Sequence, residues 1–152
     1  MIEDTEVFFY FNSHRRLYSA CRIVGDQYRK SPKQKILIFC ESESSSLEMN
    51  QVLWQFQKIT FIPHAIYGTD IAEQTPIVIV HQRTDVFEER AVVVNLLTSK
   101  KLCHWNKASR IIEIVSSNDE QEKRLARQRF RVYRNRCRNV SPVDLASKAT
   151  LP

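Results

Sequence analysis

Lys35-Ile36-Leu37-Ile38-Phe39-Cys40 fixes the architecture of the chain. Its apolar residues run almost unbroken, without polar alternation, and the run is too short for a helix. A strand with apolar side chains on both faces must be covered on both faces, which is the condition of a parallel sheet sheathed by helices. Toward the N-terminus, Val7 to Phe11 is a second compact apolar run. After Asn12-Ser13, residues Leu17, Ala20, Cys21, Val24 and Tyr28 recur at three- and four-residue intervals and stop before Ser31-Pro32, which predicts one amphipathic helix between the two strands.

Toward the C-terminus, Ser45-Ser46-Leu47-Glu48 has the spacing of a capping box, and Met49, Val52, Leu53 and Phe56 then repeat with helical period. Further strands are expected at Ile59 to Pro63, Ile77 to His81, Ala91 to Leu97 and Arg110 to Val115. A closing helix starts at the second capping-box spacing, Ser117-Asn118-Asp119-Glu120, and runs to about Asn139. Strands interleaved with helices predict an α/β three-layer sandwich, with a mostly parallel sheet flanked by helices. Residues 1–140 read as one domain of this kind, and 141–152 as a flexible polar C-terminal tail.

Composition narrows the function. The 152 residues are 43% hydrophobic and 26% charged, ordinary globular proportions. The apolar runs are far shorter than the roughly 20 residues that cross a bilayer, and the acidic opening Met1-Ile2-Glu3-Asp4 is unlike a secretory signal. A cytoplasmic location without membrane attachment is therefore expected. Cys21, Cys40, Cys103 and Cys137 are too far apart to read as a metal site or a disulfide framework, and the four histidines are scattered. Only two glycines occur, Gly25 and Gly68, so no glycine-rich loop can cradle phosphates; the fold is expected to be Rossmann-like without a nucleotide-binding loop. Asp70, Asp85, Glu41, Glu43 and Glu113 could converge as a magnesium-dependent nuclease site, but nothing in their spacing selects that arrangement. No cofactor and no catalytic residue is expected.

Charge is concentrated in one place. Of the 23 basic residues, eight lie between Lys123 and Arg138, a span without a single acidic residue, while the rest of the chain is slightly acidic. With Ala126 at zero on a helical wheel, Phe130, Tyr133 and Cys137 fall within about 40 degrees, and Lys123, Arg134, Arg127 and Arg131 at about 60, 80, 100 and 140 degrees. The cations thus form one stripe along an apolar edge, with Phe130 at the boundary. Guanidinium groups beside an aromatic ring suit an acidic peptide; nucleic-acid phosphates are the alternative ligand for the same helix.

Several segments in order carry a resemblance: Phe8-Phe9-Tyr10, Leu53-Trp54-Gln55-Phe56, Phe61-Ile62-Pro63-His64, Pro76-Ile77, Val94-Asn95-Leu96, Arg110 to Val115, and Ala126-Arg127-Gln128-Arg129-Phe130-Arg131-Val132-Tyr133-Arg134. From about residue 6 to 136 the chain resembles the chi subunits of bacterial DNA polymerase III, accessory subunits of the clamp-loader complex. The resemblance implies an adaptor in DNA replication with two surfaces. One would hold the acidic C-terminal tail of single-stranded-DNA-binding protein through Lys123, Arg127, Phe130, Arg131 and Arg134. The other would bind the psi subunit through Trp54 and Phe61, giving a monomer alone and a heterodimer with psi. Phe130 departs from the tyrosine common in the family, which removes a hydroxyl from that site.

Overall fold

The computed structural model describes residues 4–56, 62–69, 71–81, 91–97 and 108–146. Seven strands and three α-helices occur among them, in the order β1 (Glu6–Ser13), α1 (Arg16–Lys30), β2 (Ile36–Cys40), α2 (Glu43–Phe56), β3 (His64–Ile66), β4 (Ile77–His81), β5 (Val92–Asn95), β6 (Arg110–Ser116), α3 (Glu120–Arg136) and β7 (Asn139–Asp144). The strands form one sheet, ordered β3-β4-β2-β5-β6-β1-β7. Every described pairing is parallel, in agreement with the continuous apolar runs.

The period-two alternation of strand side chains sorts the core into two layers. On one face Ile36, Ile38, Ile77, Ile79, Val92, Val94, Ile112 and Ile114 pack against Ala20, Cys21 and Val24 of α1 and Met49 and Leu53 of α2. On the other, Val7, Phe9, Leu37, Phe39, Val93, Ile111 and Val115 pack with Ala126, Tyr133 and Cys137 at the α3 end. Helices on both faces of a parallel sheet give the expected three-layer, Rossmann-like sandwich. The β1–α1 turn, where nucleotide-binding members of this architecture place glycines, reads Asn12-Ser13-His14-Arg15. Behind it the Arg16 guanidinium donates to the carbonyls of Ile114 at 2.7 Å and Leu96 at 3.1 Å, at the carboxyl ends of β6 and β5.

Several boundaries differ from the sequence reading. The third strand is His64–Ile66, displaced from 59–63: Ile62 and Pro63 lie outside it, and 59–61 fall outside the described residues. Helix α2 begins earlier. Ser42 Oγ accepts from the Ser45 amide at 3.2 Å, and Ser45 Oγ accepts from the Ser42 amide at 2.9 Å, so the reciprocal cap is centred three residues before the expected one. At α3 the cap is Asp119, which accepts from the Glu122 amide at 3.0 Å, two residues after the expected Ser117. The largest difference is at the end. Helix α3 stops at Arg136, Cys137 is extended, and Asn139–Asp144 pairs with β1 as an edge strand where a helix end and then a frayed tail were expected. The Leu145 amide donates to Phe11 O, so by alternation Pro142 turns its nitrogen outward, where its missing N–H leaves no gap in the ladder.

Candidate anion-binding face of the closing helix

Helix α3 touches the sheet through a narrow edge: apart from the first-turn Glu122, only Ala126 and Tyr133 of its 17 residues are buried. Its rotational setting follows from three contacts. Arg129 donates from Nε to Glu113 Oε2 and from Nη2 to Glu113 Oε1, both at 3.0 Å, so Arg129 faces β6. The Tyr133 hydroxyl donates to the same carboxylate at 2.8 Å. Phe130 meets Phe9 of β1 edge-on, ring centroids 5.1 Å apart. Going around the helix from Arg129 through Tyr133 and Ala126 to Phe130 therefore runs from β6 to β1. The same rotation carries Lys123, Arg134, Arg127 and Arg131 on toward the β7 side and solvent.

Arg127, Arg131 and Arg134 are exposed on that side. The Arg134 guanidinium lies 5.7 Å from the centroid of the Phe130 ring. Phe130 is half-buried, and with Phe11 and Val140 it forms the partly covered margin of the α3 core. Lys123 is also on this side, but its ammonium pairs with Glu120 at 3.0 Å, which leaves it the weakest cation of the expected set. Chemically, three guanidinium groups beside a half-exposed ring offer bidentate donors to carboxylates and an apolar margin to an aromatic side chain.

Arg129 is the correction to the charge count. It belongs to the eight cations of the basic stretch, yet it is turned inward onto Glu113, which has no exposure at all. Glu113 in turn was a candidate for a metal-binding carboxylate; it is instead occupied by Arg129, Tyr133 and the Asn95 amide, which donates at 2.8 Å. Burial, reinforced by the Glu113 charge and hydrogen bond, pushes the Tyr133 phenol well above its ordinary pKa. Burial alone would lower the Arg129 pKa, but the Glu113 charge and hydrogen bond outweigh it and raise it. No group of three His, Cys, Asp or Glu residues among the described ones could hold a metal ion, and Asp70 and Asp85 fall outside them. The available signal for this cluster was a single acid inside the apolar run Ile111-Ile112-Glu113-Ile114-Val115, since a buried carboxylate demands a partner.

On the opposite face of the sheet, Trp54 is 52% exposed on the outer side of α2, and its indole sits 4.8 Å from the His64 ring, centroid to centroid. Leu47, seven residues earlier and about 20 degrees away on the wheel, is 53% exposed beside it and was not singled out from sequence. Phe61, the other residue expected on this surface, lies outside the described residues. No helix among the described residues is long and apolar enough to cross a membrane.

Comparison with known proteins identifies the family of the chain and the likeness of its fold. The family model described as the DNA polymerase III chi subunit, HolC, matches residues 5–141. The chain is 30% identical over 123 residues to the DNA polymerase III subunit chi of Haemophilus influenzae, covering 80% of this chain and 82% of that protein. It is 26% identical over 116 residues to the Escherichia coli K12 protein of the same name, covering 75% of each. Among solved structures, a DEAD box protein from Methanococcus jannaschii superposes with a TM-score of 0.59 at 14% identity over 93% of this chain. S. cerevisiae dbp5 bound to gle1 superposes with a TM-score of 0.57 at 10% identity over 97%. The chain spans only 42% and 43% of those two structures, and at such identity the likeness is one of fold alone.

Proposed function

The chain belongs to the DNA polymerase III chi subunit family, and on that premise we propose that it is a non-catalytic, cytoplasmic adaptor of the replicative polymerase holoenzyme. In this reading α3 holds the acidic C-terminal tail of single-stranded-DNA-binding protein, and the Trp54 surface holds the psi subunit, which ties the chain to the clamp loader. The chain is a monomer alone and a heterodimer with psi. The observation that carries the proposal is the segregation of arginines on α3: Arg129 is turned inward onto buried Glu113, while Arg127, Arg131 and Arg134 stand exposed beside half-buried Phe130.

The three exposed guanidiniums would clamp the tail's side-chain and terminal carboxylates. A terminal phenylalanine ring would lie against Phe130 at the β7-side margin. Linking polymerase to coated single strands raises local concentration and needs no chemical step. Because the arginines are solvent-exposed, their attraction for the tail is screened by salt.

Isothermal calorimetry with a short acidic peptide ending in phenylalanine tests this, repeated with the peptide's terminal carboxylate amidated. Saturable binding that weakens on amidation and with added salt is expected. Equal binding of both forms, or none, removes the tail-binding reading. Length-dependent binding of naked oligonucleotides with no response to the peptide would instead favour nucleic acid as the ligand of this helix.

A further inference from the structure

The exposed arginines can act together only if α3 keeps one rotation on the sheet, and its apolar contacts are few for a helix of its length. Rotation by one residue swings every side chain by about 100 degrees and shifts it about 1.5 Å along the axis. Ala126 is too small to resist that slip by shape, the Phe9–Phe130 edge contact lies at the β1 margin of the helix, and Glu122, which accepts from the Ser116 amide and hydroxyl, holds only the first turn. The Glu113 carboxylate is differently placed. It lies in the middle of β6 with 0% exposure and receives two hydrogen bonds from Arg129 and one from Tyr133. Arg129 and Tyr133 are four residues apart, so they reach one carboxylate from successive turns of a single helix face. A fourth donor, Asn95 Nδ2, comes from β5, and Asn95 Oδ1 accepts from the Leu97 amide at 3.0 Å, which fixes the asparagine in turn.

We propose that Glu113 is a positioning residue for the anion-binding face: through Arg129 and Tyr133 it locks the rotation and axial register of α3, and thereby holds the Arg127, Arg131 and Arg134 guanidiniums beside Phe130. The inference rests on the tail-binding reading for its functional consequence, but the lock is a property of the helix and can be measured without any ligand. A buried ion pair is poorly suited to adding net stability, because desolvating both charges offsets most of their attraction; specifying one arrangement over its neighbours is the better-attested use. An apolar cluster of similar volume would hold the helix as firmly while accepting several rotations.

That difference supplies the test. In the full-length chain, the triple variant Glu113→Leu, Arg129→Met, Tyr133→Phe removes the lock and leaves every exposed arginine in place. It is expected to unfold cooperatively with a midpoint close to that of the unmodified protein. It should also lose the Phe9–Phe130 ring contact in nuclear Overhauser spectra and bind the phenylalanine-ended acidic peptide at least tenfold more weakly. Retention of the ring contact together with unchanged peptide affinity overturns the proposal. Should the triple variant fail to fold, Glu113→Gln decides: it preserves volume and, with its amide oxygen at the Oε2 position, every hydrogen bond but that from Arg129 Nη2, and faster hydrogen exchange along α3 with a lesser loss of affinity is expected, whereas unaltered exchange overturns the proposal. If the unmodified chain itself ignores the peptide, the tail-binding reading falls, and the ring contact and exchange rates still decide the lock.

Discussion

Two arginines of α3, two positions apart, have opposite work to do, and truncating each to alanine separates them. Arg129→Ala removes both guanidinium hydrogen bonds from a carboxylate with 0% exposure and leaves it with Tyr133 and Asn95 only. Breaking a buried pair from one side costs about 3–5 kcal/mol, because the remaining charge is desolvated and uncompensated. Set against a total stability of about 5–15 kcal/mol for a domain of this kind, that is a large fraction. With a urea slope of about 2 kcal/mol/M, the unfolding midpoint falls by roughly 2 M. Arg127 is exposed, so Arg127→Ala should alter stability by no more than about 0.5 kcal/mol while weakening the acidic peptide. The assay is equilibrium urea unfolding followed by circular dichroism, with the slope checked for constancy. Adding Glu113→Gln to Arg129→Ala should recover part of the loss, since the stranded charge is then gone. An Arg129→Ala midpoint within a few tenths molar of the unmodified protein would mean that Glu113 is not left stranded by the loss of Arg129, and so would a double variant less stable than Arg129→Ala alone.

Other outcomes follow from the same geometry. Trp54→Ala should abolish psi binding in a pull-down and spare peptide binding, because Trp54 is 52% exposed and sits on the face of the sheet opposite α3; loss of both would mark it as a core residue. Leu47→Ser should weaken psi binding with little effect on the melting temperature, since Leu47 is 53% exposed on the same outer side of α2. Burial pushes the Cys21 and Cys40 thiols up to about 12 and raises the Tyr133 phenol, so all three folded-state values lie above their unfolded ones. Their contribution to stability is then complete below about pH 8.5, the unfolded thiol value, and is lost progressively as pH rises above it. Urea midpoints between pH 8 and 11 should fall steadily, and alkylation of Cys21 and Cys40 at pH 8 should require unfolding.

What was legible in the sequence was whatever depended on neighbours along the chain. The apolar runs that became β2, β4 and β5 announced a covered parallel sheet because a strand buried on both faces has no room for polar alternation. The arginine stripe of α3 was visible from helical phase alone. Features set by partners distant in sequence were hidden. Asn139–Asp144 is polar, contains Pro142 and has no strand pattern of its own; it is a strand because β1 offers it an edge. Glu113 and Arg129 are 16 residues apart and come together only when α3 lies on β6, so one read as a possible metal-binding carboxylate and the other as one more cation of the basic stretch. The capping positions were misplaced by two or three residues because Ser42 and Asp119 were competing with nearby serines for the same role.

Whether an acidic, aromatic-ended tail binds on the β7 side of α3 is read from the amide chemical-shift map of the labelled chain titrated with the phenylalanine-ended peptide. Saturable shifts should cluster at Lys123, Arg127, Phe130, Arg131 and Arg134 and extend to Phe11 and Val140, while the amides around Leu47 and Trp54 stay still. Shifts centred on α2, or spread evenly over the surface with no saturation, would contradict it.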